Sequence, residues 1–234
     1  MDRNLNELLK WSIEHSAPSN NTNGVTAHTN GDAPPADGTQ VSNAAATSSI
    51  DPAVMAALFG GPSEAELMKA AMAVITDPDP EVTLENKLIA FDNFEQLIES
   101  LDNANNLEDL NLWAPLLGLL DHDEDQLRLM AAWCLGTAVQ NNAKTQERLH
   151  ALGGIPRLVN LATNDNEPQA VRRKAIYALS SAVRNYQPAM DDAIKELAPA
   201  GHHSGERVDA NDMDAIDEIM NGLKQRAEQQ QASS

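Results

Sequence analysis

The acidic run Asp121–Asp125 (DHDED) is the stretch of this 234-residue chain that most resembles the start of a calcium-binding loop. Calcium loops of the EF-hand type need a glycine at their sixth position and a bidentate glutamate at their twelfth. Gln126 and Ala132 stand at those two positions. We therefore interpret the run as a solvated loop and helix start, where carboxylates are favoured by the helix dipole.

The other residues that could bind a metal, act as a nucleophile or bind phosphate lack the neighbouring residues that such a site requires. His202 and His203 are adjacent, but no ligand pair at helical spacing completes a metal site. Cys134 is the single cysteine, which excludes an internal disulfide, and we expect it to be an inert packing residue. The glycine turns Gly60–Pro62 and Gly153–Gly154 are not followed by the lysine and serine of a phosphate loop. We expect a binding module, with no catalytic residue, no metal and no cofactor.

Two stretches repeat the same pattern of apolar, aromatic and amide residues. Arg128–Asn142 (RLMAAWCLGTAVQNN) and Arg172–Tyr186 (RRKAIYALSSAVRNY) align at an offset of 44 residues. The segment WAPLLGLL likewise aligns with GIPRLVNLA at an offset of 41 residues. A fixed step of about 40–47 residues is typical of armadillo and HEAT solenoids. The chain is therefore predicted to be all-α, with about three repeats in an armadillo-like right-handed superhelix.

In each repeated helix, one stripe is predicted to pack and the other face to recognise a partner. Ala131, Leu135 and Ala138 fall on the packing stripe by helical spacing. Aromatic and amide groups in a groove suit protein recognition. The predicted recognition residues of these segments are Trp133, Gln140, Asn141, Asn142, Tyr177, Arg184 and Asn185. Two interpretations stay open, since the aromatics could instead seal the interface between repeats and the asparagines could instead cap helices.

The segments outside the repeats differ in composition. Residues 1–16 carry apolar residues at helical spacing, and residues 17–49 are rich in Asn, Thr, Ser, Ala, Gly and Pro, so we expect a disordered tether there. Residues 50–80 are predicted to form N-terminal capping helices, with a capping box from Ser63 to Glu66. The repeats are assigned to residues 81–198. A capping helix from Asn211 to about Arg226 and a flexible tail are predicted within residues 199–234.

Charge and hydropathy restrict the class of partner. Sixteen Lys and Arg residues against thirty-five Asp and Glu give a net charge of −19, which repels nucleic acid and anionic membranes. The N-terminus lacks the apolar core of a signal peptide, and no apolar run approaches the length of a membrane span. We expect a soluble cytoplasmic monomer that binds another protein.

Several stretches resemble one specific family. NELLKWSIEHS, LFGGPSEAELMKAAMAVI, LENKLIAFDNFEQLIESLDNANNLEDLNLW and GTAVQNN are similar to the fungal Fes-type proteins, which are armadillo-repeat nucleotide exchange factors for Hsp70 chaperones. The resemblance implies that the concave face grips the nucleotide-binding domain of Hsp70, so that ADP and then client are released. It also places the contact motif LDNANN on Leu101–Asn106, and thus Asn103, Ala104, Asn105 and Asn106 in the interface.

The resemblance carries two further implications. The N-terminal segment is expected to engage the client-binding domain of the chaperone as a client mimic, through Leu8, Leu9, Trp11 and Ile13; its alternative is to pack on the repeats. Full-length relatives contribute a basic residue from a fourth repeat, and no stretch here matches it.

An importin-like adaptor for basic peptides is the main alternative function. Such adaptors also use Trp and Asn ladders on armadillo helices, and the acidic charge would suit basic cargo. Three repeats give only a short groove, however, and the N-terminal segment lacks a basic arm.

Overall fold

The computed structural model describes residues 60–231, with side chains described as far as residue 229. The predicted client-mimic segment 1–16, the linker 17–49 and the helix predicted after Asp51 lie outside the described residues. From Ser63 onward the described chain forms one compact unit. Within residues 60–231 all regular secondary structure is helical, and no β-strand is present.

Ten α-helices and one 3-10 turn make up the described part of the chain. The helices are α1 Glu64–Ile75, α2 Leu84–Ile98, α3 Leu101–Asn106, α4 Trp113–Gly118, α5 Asp125–Val139, α6 Ala143–Ala151, α7 Gly154–Thr163, α8 Gln169–Val183, α9 Gln187–Leu197 and α10 Met213–Gln231. The 3-10 turn Leu119–Asp121 extends α4.

Helix α1 begins with the predicted capping box. The Ser63 hydroxyl accepts a hydrogen bond from the Glu66 backbone N–H at 3.3 Å, and the Glu66 carboxylate accepts from the Ser63 N–H at 2.8 Å. The Ser63 N–H and the Ser63 hydroxyl both donate to the Glu66 carboxylate, and these two hydrogen bonds lower the pKa of Glu66 because they favour its ionised form. Both orphan amides are thereby satisfied, and the capping prediction is confirmed.

The long helices α2, α5 and α8 are each followed by two shorter helices or a cap, and they stack in sequence order. Helix α5 lies between α2 and α8. The hydrogen bond from Thr137 to Glu95, 42 residues earlier in the chain, places the C-terminal ends of α2 and α5 side by side in repeat register. This is the predicted all-α, armadillo-like fold.

Small side chains let the long helices approach one another closely. Ala131, Leu135 and Ala138 on α5 are 0–1% exposed, and their equivalents Ala175, Leu179 and Ala182 on α8 are fully buried. Alternating Ala and Leu gives a stripe that interdigitates without voids. The predicted packing stripe is therefore buried in both repeats.

The asparagines repeated after the two long helices occupy a left-handed turn. Asn141 has φ of 53° and Asn185 has φ of 59°. Asparagine tolerates this region better than most residues because its side chain can hydrogen-bond locally. The turn redirects the chain from α5 into α6 and from α8 into α9, which is a structural reason for the repeated Asn.

Helix α10 covers the C-terminal end of the described stack. It packs on α8 and α7 and buries Ile216, Met220 and Leu223. It begins later than the predicted Asn211, because the Asp212 carboxylate accepts from the Ala215 N–H at 3.0 Å and caps the helix there. It also extends beyond the predicted end near Arg226, since the buried Ala227 continues its apolar stripe.

Candidate functional site

The long helices line a polar groove across the first two repeats and onto the third. This polar groove has a volume of about 460 Å³. Its lining residues come from α2, α5 and α8 and from the turn after α5, and they are Glu95, Glu99, Trp133, Thr137, Gln140, Asn141 and Tyr177.

Hydrogen bonds between neighbouring helices fix the walls of the polar groove. The Thr137 hydroxyl donates to a carboxylate oxygen of Glu95 at 2.7 Å, which joins α5 to α2. The Tyr177 hydroxyl donates to the amide oxygen of Gln140 at 3.4 Å, a longer contact that joins α8 to α5. Glu95 is 8% exposed, so its hydrogen bond satisfies a carboxylate that is largely removed from water.

A lysine lies close to both aromatic rings of the groove. The Lys174 ammonium is 3.5 Å from the centroid of the Trp133 ring and 5.8 Å from that of Tyr177. Burial lowers the pKa of Lys174, while the carboxylate of Glu95 acts in the opposite direction. The cation and the ring faces stabilise each other, so the two aromatic side chains are held in place from one side.

Four of the predicted recognition residues meet in this groove. Trp133 and Tyr177 are half-buried, and Gln140 and Asn141 are exposed beside them. The aromatics therefore seal part of the interface between α5 and α8 and also present a face to the groove. The sealing interpretation therefore applies to both rings, and their recognition of a partner stays a prediction.

The residues of the LDNANN segment take different positions in and around α3. Asn103 and Ala104 are 5% and 3% exposed. The Asn103 amide donates to Glu64 at 2.6 Å and to the Leu97 carbonyl at 2.9 Å, so it ties α3 to α1 and α2. Asn105 is half-buried and Asn106 is exposed, and none of the four lines the polar groove.

The predicted residues at the ends of α5 and α8 make internal contacts. Asn142 is 5% exposed and donates to the Asn105 side chain at 3.2 Å. The Arg184 guanidinium pairs with Asp217 of α10 and donates to Ser180. Asn185 is exposed, and its backbone N–H donates to the Ala210 carbonyl at 2.8 Å. Arg184 thus anchors the capping helix to α8.

Three groove-lining residues lie outside the predicted recognition set: Glu95, Glu99 and Thr137. The repeat register could have identified Glu99, because the offsets of 41 and 44 residues place it at the position of Gln140 and Arg184. Glu95 aligns with Gly136 and Ser180, so no common residue type marks that position. Its role depends on a hydrogen bond between helices, which the sequence does not show.

The acidic run and the two histidines considered as possible metal ligands make contacts within the fold. Asp121–Asp125 connects the 3-10 turn to α5, and Asp121 pairs with Arg157 at 3.2 Å. His202 contacts Arg226, and the Gly205 N–H donates to His203. Across the described residues, no group of His, Cys, Asp or Glu could hold a metal ion. No helix of residues 60–231 is long and apolar enough to cross a membrane.

Two family models together match residues 5–196 of the chain. A family model described as nucleotide exchange factor Fes1 matches residues 5–107, and a model described as the SIL1/FES1/HPBP1 C-terminal domain matches residues 103–196. A Neurospora crassa protein named Hsp70 nucleotide exchange factor fes-1 is 59% identical, over 97% of this chain and 99% of its own length.

Two further relatives carry the same name. The Hsp70 nucleotide exchange factor FES1 of Gibberella zeae is 58% identical, over 96% of this chain and 97% of its own length. The Hsp70 nucleotide exchange factor FES1 of Coccidioides immitis is 52% identical, over 96% of this chain and 99% of its own length. Two chains that are more than 50% identical over almost their full lengths share the same fold. The chain belongs to the fungal Fes1 family of Hsp70 nucleotide exchange factors.

Proposed function

We propose that this protein binds the nucleotide-binding domain of an Hsp70 chaperone and accelerates release of ADP, and thereby of client. The observation that carries the proposal is a polar groove whose walls are fixed by bonds between helices, in a chain of the Fes1 family. A groove held in this way loses little conformational entropy on binding, which favours recognition of a folded surface.

The energetics of exchange require no covalent chemistry from this chain. If the factor binds the nucleotide-free chaperone more tightly than the ADP form, ADP and factor weaken each other's binding by the same ratio. Trp133 and Tyr177 supply apolar area, and the exposed amides of Gln140 and Asn141 supply directional hydrogen bonds. We propose that the protein acts as a binding partner and not as an enzyme.

Helix α3 is proposed as a second contact with the chaperone. Leu101 is 57% exposed and Asn106 is also exposed, so the helix presents an apolar and an amide group to solvent. Ala104, at 3% exposed, has a different role in this proposal. Its small side chain lets α3 lie close to its neighbours and so positions Leu101 and Asn106.

The N-terminal segment is proposed to act as a client mimic. Leu8, Leu9, Trp11 and Ile13 form a short apolar set of the kind that a chaperone groove accepts. Once the repeats are bound, the linker of residues 17–49 would keep this set at high effective concentration. We further propose that the protein works as a monomer in the cytoplasm, without nucleic acid or membrane partners.

The importin-like alternative is not favoured. Its support is the acidic charge together with the aromatic and amide ladder, and neither feature distinguishes an adaptor from an exchange factor. The relatives that match across the whole chain are named exchange factors. In addition, the Lys174 ammonium already lies over the Trp133 ring at 3.5 Å, so that ring face is not open to the cation of a basic peptide.

A stopped-flow assay tests the proposal. Hsp70 loaded with a fluorescent ADP analogue is mixed with excess ATP, with and without this protein, and the release rate is measured. We expect faster release with increasing protein. A pull-down with a basic localisation peptide serves as the control for the alternative. An unchanged release rate, with Hsp70 shown to be active by another exchange factor, would refute exchange activity.

A further inference from the structure

A second hollow adjoins the polar groove on the other side of the aromatic pair. This cationic pocket has a volume of about 660 Å³. Its lining residues come from α5, α8 and α10, and they are Leu129, Trp133, Ala170, Arg173, Lys174, Tyr177 and Lys224. Leu129, Ala170 and the aromatic rings form its apolar walls, and the other three side chains are cations.

The cations of this pocket are available to a ligand. Within residues 60–229, Lys174 and Lys224 have no carboxylate within the 4.0 Å of an ion pair. Arg173 pairs with Glu228 at 2.8 Å, but both side chains are more than half exposed. Exposed pairs contribute little free energy, so a ligand carboxylate could replace Glu228 at small cost.

Charge changes sign along the stack of long helices. The position occupied by Glu99 in the first repeat is Gln140 in the second and Arg184 in the third. The acidic side chains of the polar groove come from α2, whereas the cations of the pocket come from α8 and α10. In a chain of net charge −19, three cations around one apolar hollow are a local reversal of the overall field.

We propose that the cationic pocket binds an acidic segment of the partner protein that also carries an apolar or aromatic side chain. The inference deepens the proposed function, on which it rests for the identity of the partner. The apolar side chain would lie against Leu129 and Ala170, and its flanking carboxylates would meet Lys174, Lys224 and Arg173. The acidic end of the groove repels the same segment, so the partner can dock in only one direction.

A peptide titration tests the pocket independently of the chaperone. The blocked peptide Glu-Leu-Glu-Phe-Glu is added to the isotope-labelled full chain, and the basic peptide Lys-Leu-Lys-Phe-Lys is the matched control. We expect the acidic peptide alone to shift the indole N–H signal of Trp133 and the amides of α8 near Lys174. Equal shifts with both peptides, shifts elsewhere, or none would overturn the proposal. Equal competition by inorganic phosphate would do the same, since it would indicate a simple anion site.

Charge-reversal variants link the pocket to the partner. Lys224→Glu and Arg173→Glu should each weaken binding to Hsp70 about fivefold or more at low salt, with the difference shrinking as salt rises. Lys195→Glu on the exposed side of α9 is the matched control and should change little. Parallel thermal unfolding confirms that the variants are folded.

If unmodified protein accelerates ADP release and the pocket variants match the control, the pocket inference fails while the proposed function stands. If unmodified protein fails to bind Hsp70, the proposed function fails and the peptide titration decides the pocket.

Discussion

The ring of Tyr177 lies so close to Gly136 that a Cβ atom built on the glycine would come within 2.5 Å of its Cε1 atom. Glycine inside a helix costs about 1 kcal/mol relative to alanine, and here that cost accompanies a close crossing of α5 and α8. The Tyr177 hydroxyl reaches Gln140 from this position. Gly136 is therefore a positioning residue for the groove, although it contacts no partner itself.

We predict that Gly136→Ala displaces the Tyr177 ring and weakens exchange activity. Overpacking of roughly 1–3 kcal/mol should outweigh the gain of about 1 kcal/mol in helix propensity, so stability should fall by about 1 kcal/mol. Urea unfolding measures the stability, and the ADP-release assay measures the activity. Gly222→Ala in α10 is the control, because a Cβ there meets nothing within 4 Å. Unchanged stability and activity in Gly136→Ala would contradict this view of the helix crossing.

The role of the LDNANN segment can be separated from that of the groove by two arginine variants. Ala104→Arg should lose exchange activity and also lower the melting temperature, because Ala104 is 3% exposed and has no room for a guanidinium. Gln140→Arg should lose activity with its melting temperature preserved, since Gln140 is exposed in the groove. Gln126→Arg, at an exposed position in the first turn of α5 and outside the groove, is the matched control. If Ala104→Arg kept full stability and lost activity, Ala104 would be a direct contact.

The fold was readable from the sequence because its main determinants are periodic. The 44-residue offset and the buried Ala and Leu stripe identify the stacked helices, and the Ser63 capping box marks the start of α1. Each of these signals depends on local spacing or on repetition. The end of α10 was missed because Ala227 extends the stripe by one turn among residues that are otherwise polar.

The candidate site was readable only in part. Trp133, Gln140, Asn141 and Tyr177 were found because the repeat places their side chains on one face of aligned helices. Arg184 follows the same register, but its pairing with Asp217 of α10 depends on how the cap docks. A contact of this kind joins residues that are distant in sequence and outside the repeat register, so no periodic pattern in the sequence reveals it. Such contacts determine the positions of the other residues around the groove.

Cys134 should be unreactive in the folded protein. It is fully buried, and burial raises the pKa of its thiol well above the ordinary value, with Glu95 and Asp92 adding to the effect. Since the thiolate is the nucleophile, both access and ionisation are suppressed. We expect no labelling by N-ethylmaleimide in buffer at neutral pH and full labelling in urea, measured by mass spectrometry. Rapid labelling under native conditions would mean that α5 opens locally.

The capping helix should contribute strongly to stability. Met220 is 1% exposed and packs α10 on the last repeat, so Met220→Ala should lower the free energy of unfolding by about 2–5 kcal/mol. The neighbouring Asn221 is exposed, and Asn221→Ala should change stability by less than about 0.5 kcal/mol. Urea unfolding of both variants measures the difference. Similar values for the two would show that α10 is dispensable for the stack.

Deletion of residues 1–16 should separate exchange from client release. The groove lies entirely within later residues, so ADP release from Hsp70 should be unchanged by the deletion. Release of a fluorescent client peptide should slow, because the apolar set Leu8, Leu9, Trp11 and Ile13 would no longer compete for the client-binding domain. A chain in which these four residues are replaced by serine is the control that keeps the length of the segment.

Because the linker acts through effective concentration, the isolated peptide 1–16 should restore client release only at far higher concentration than the intact chain requires. Equal client release with and without the segment would exclude the client-mimic proposal and favour packing of this segment on the repeats.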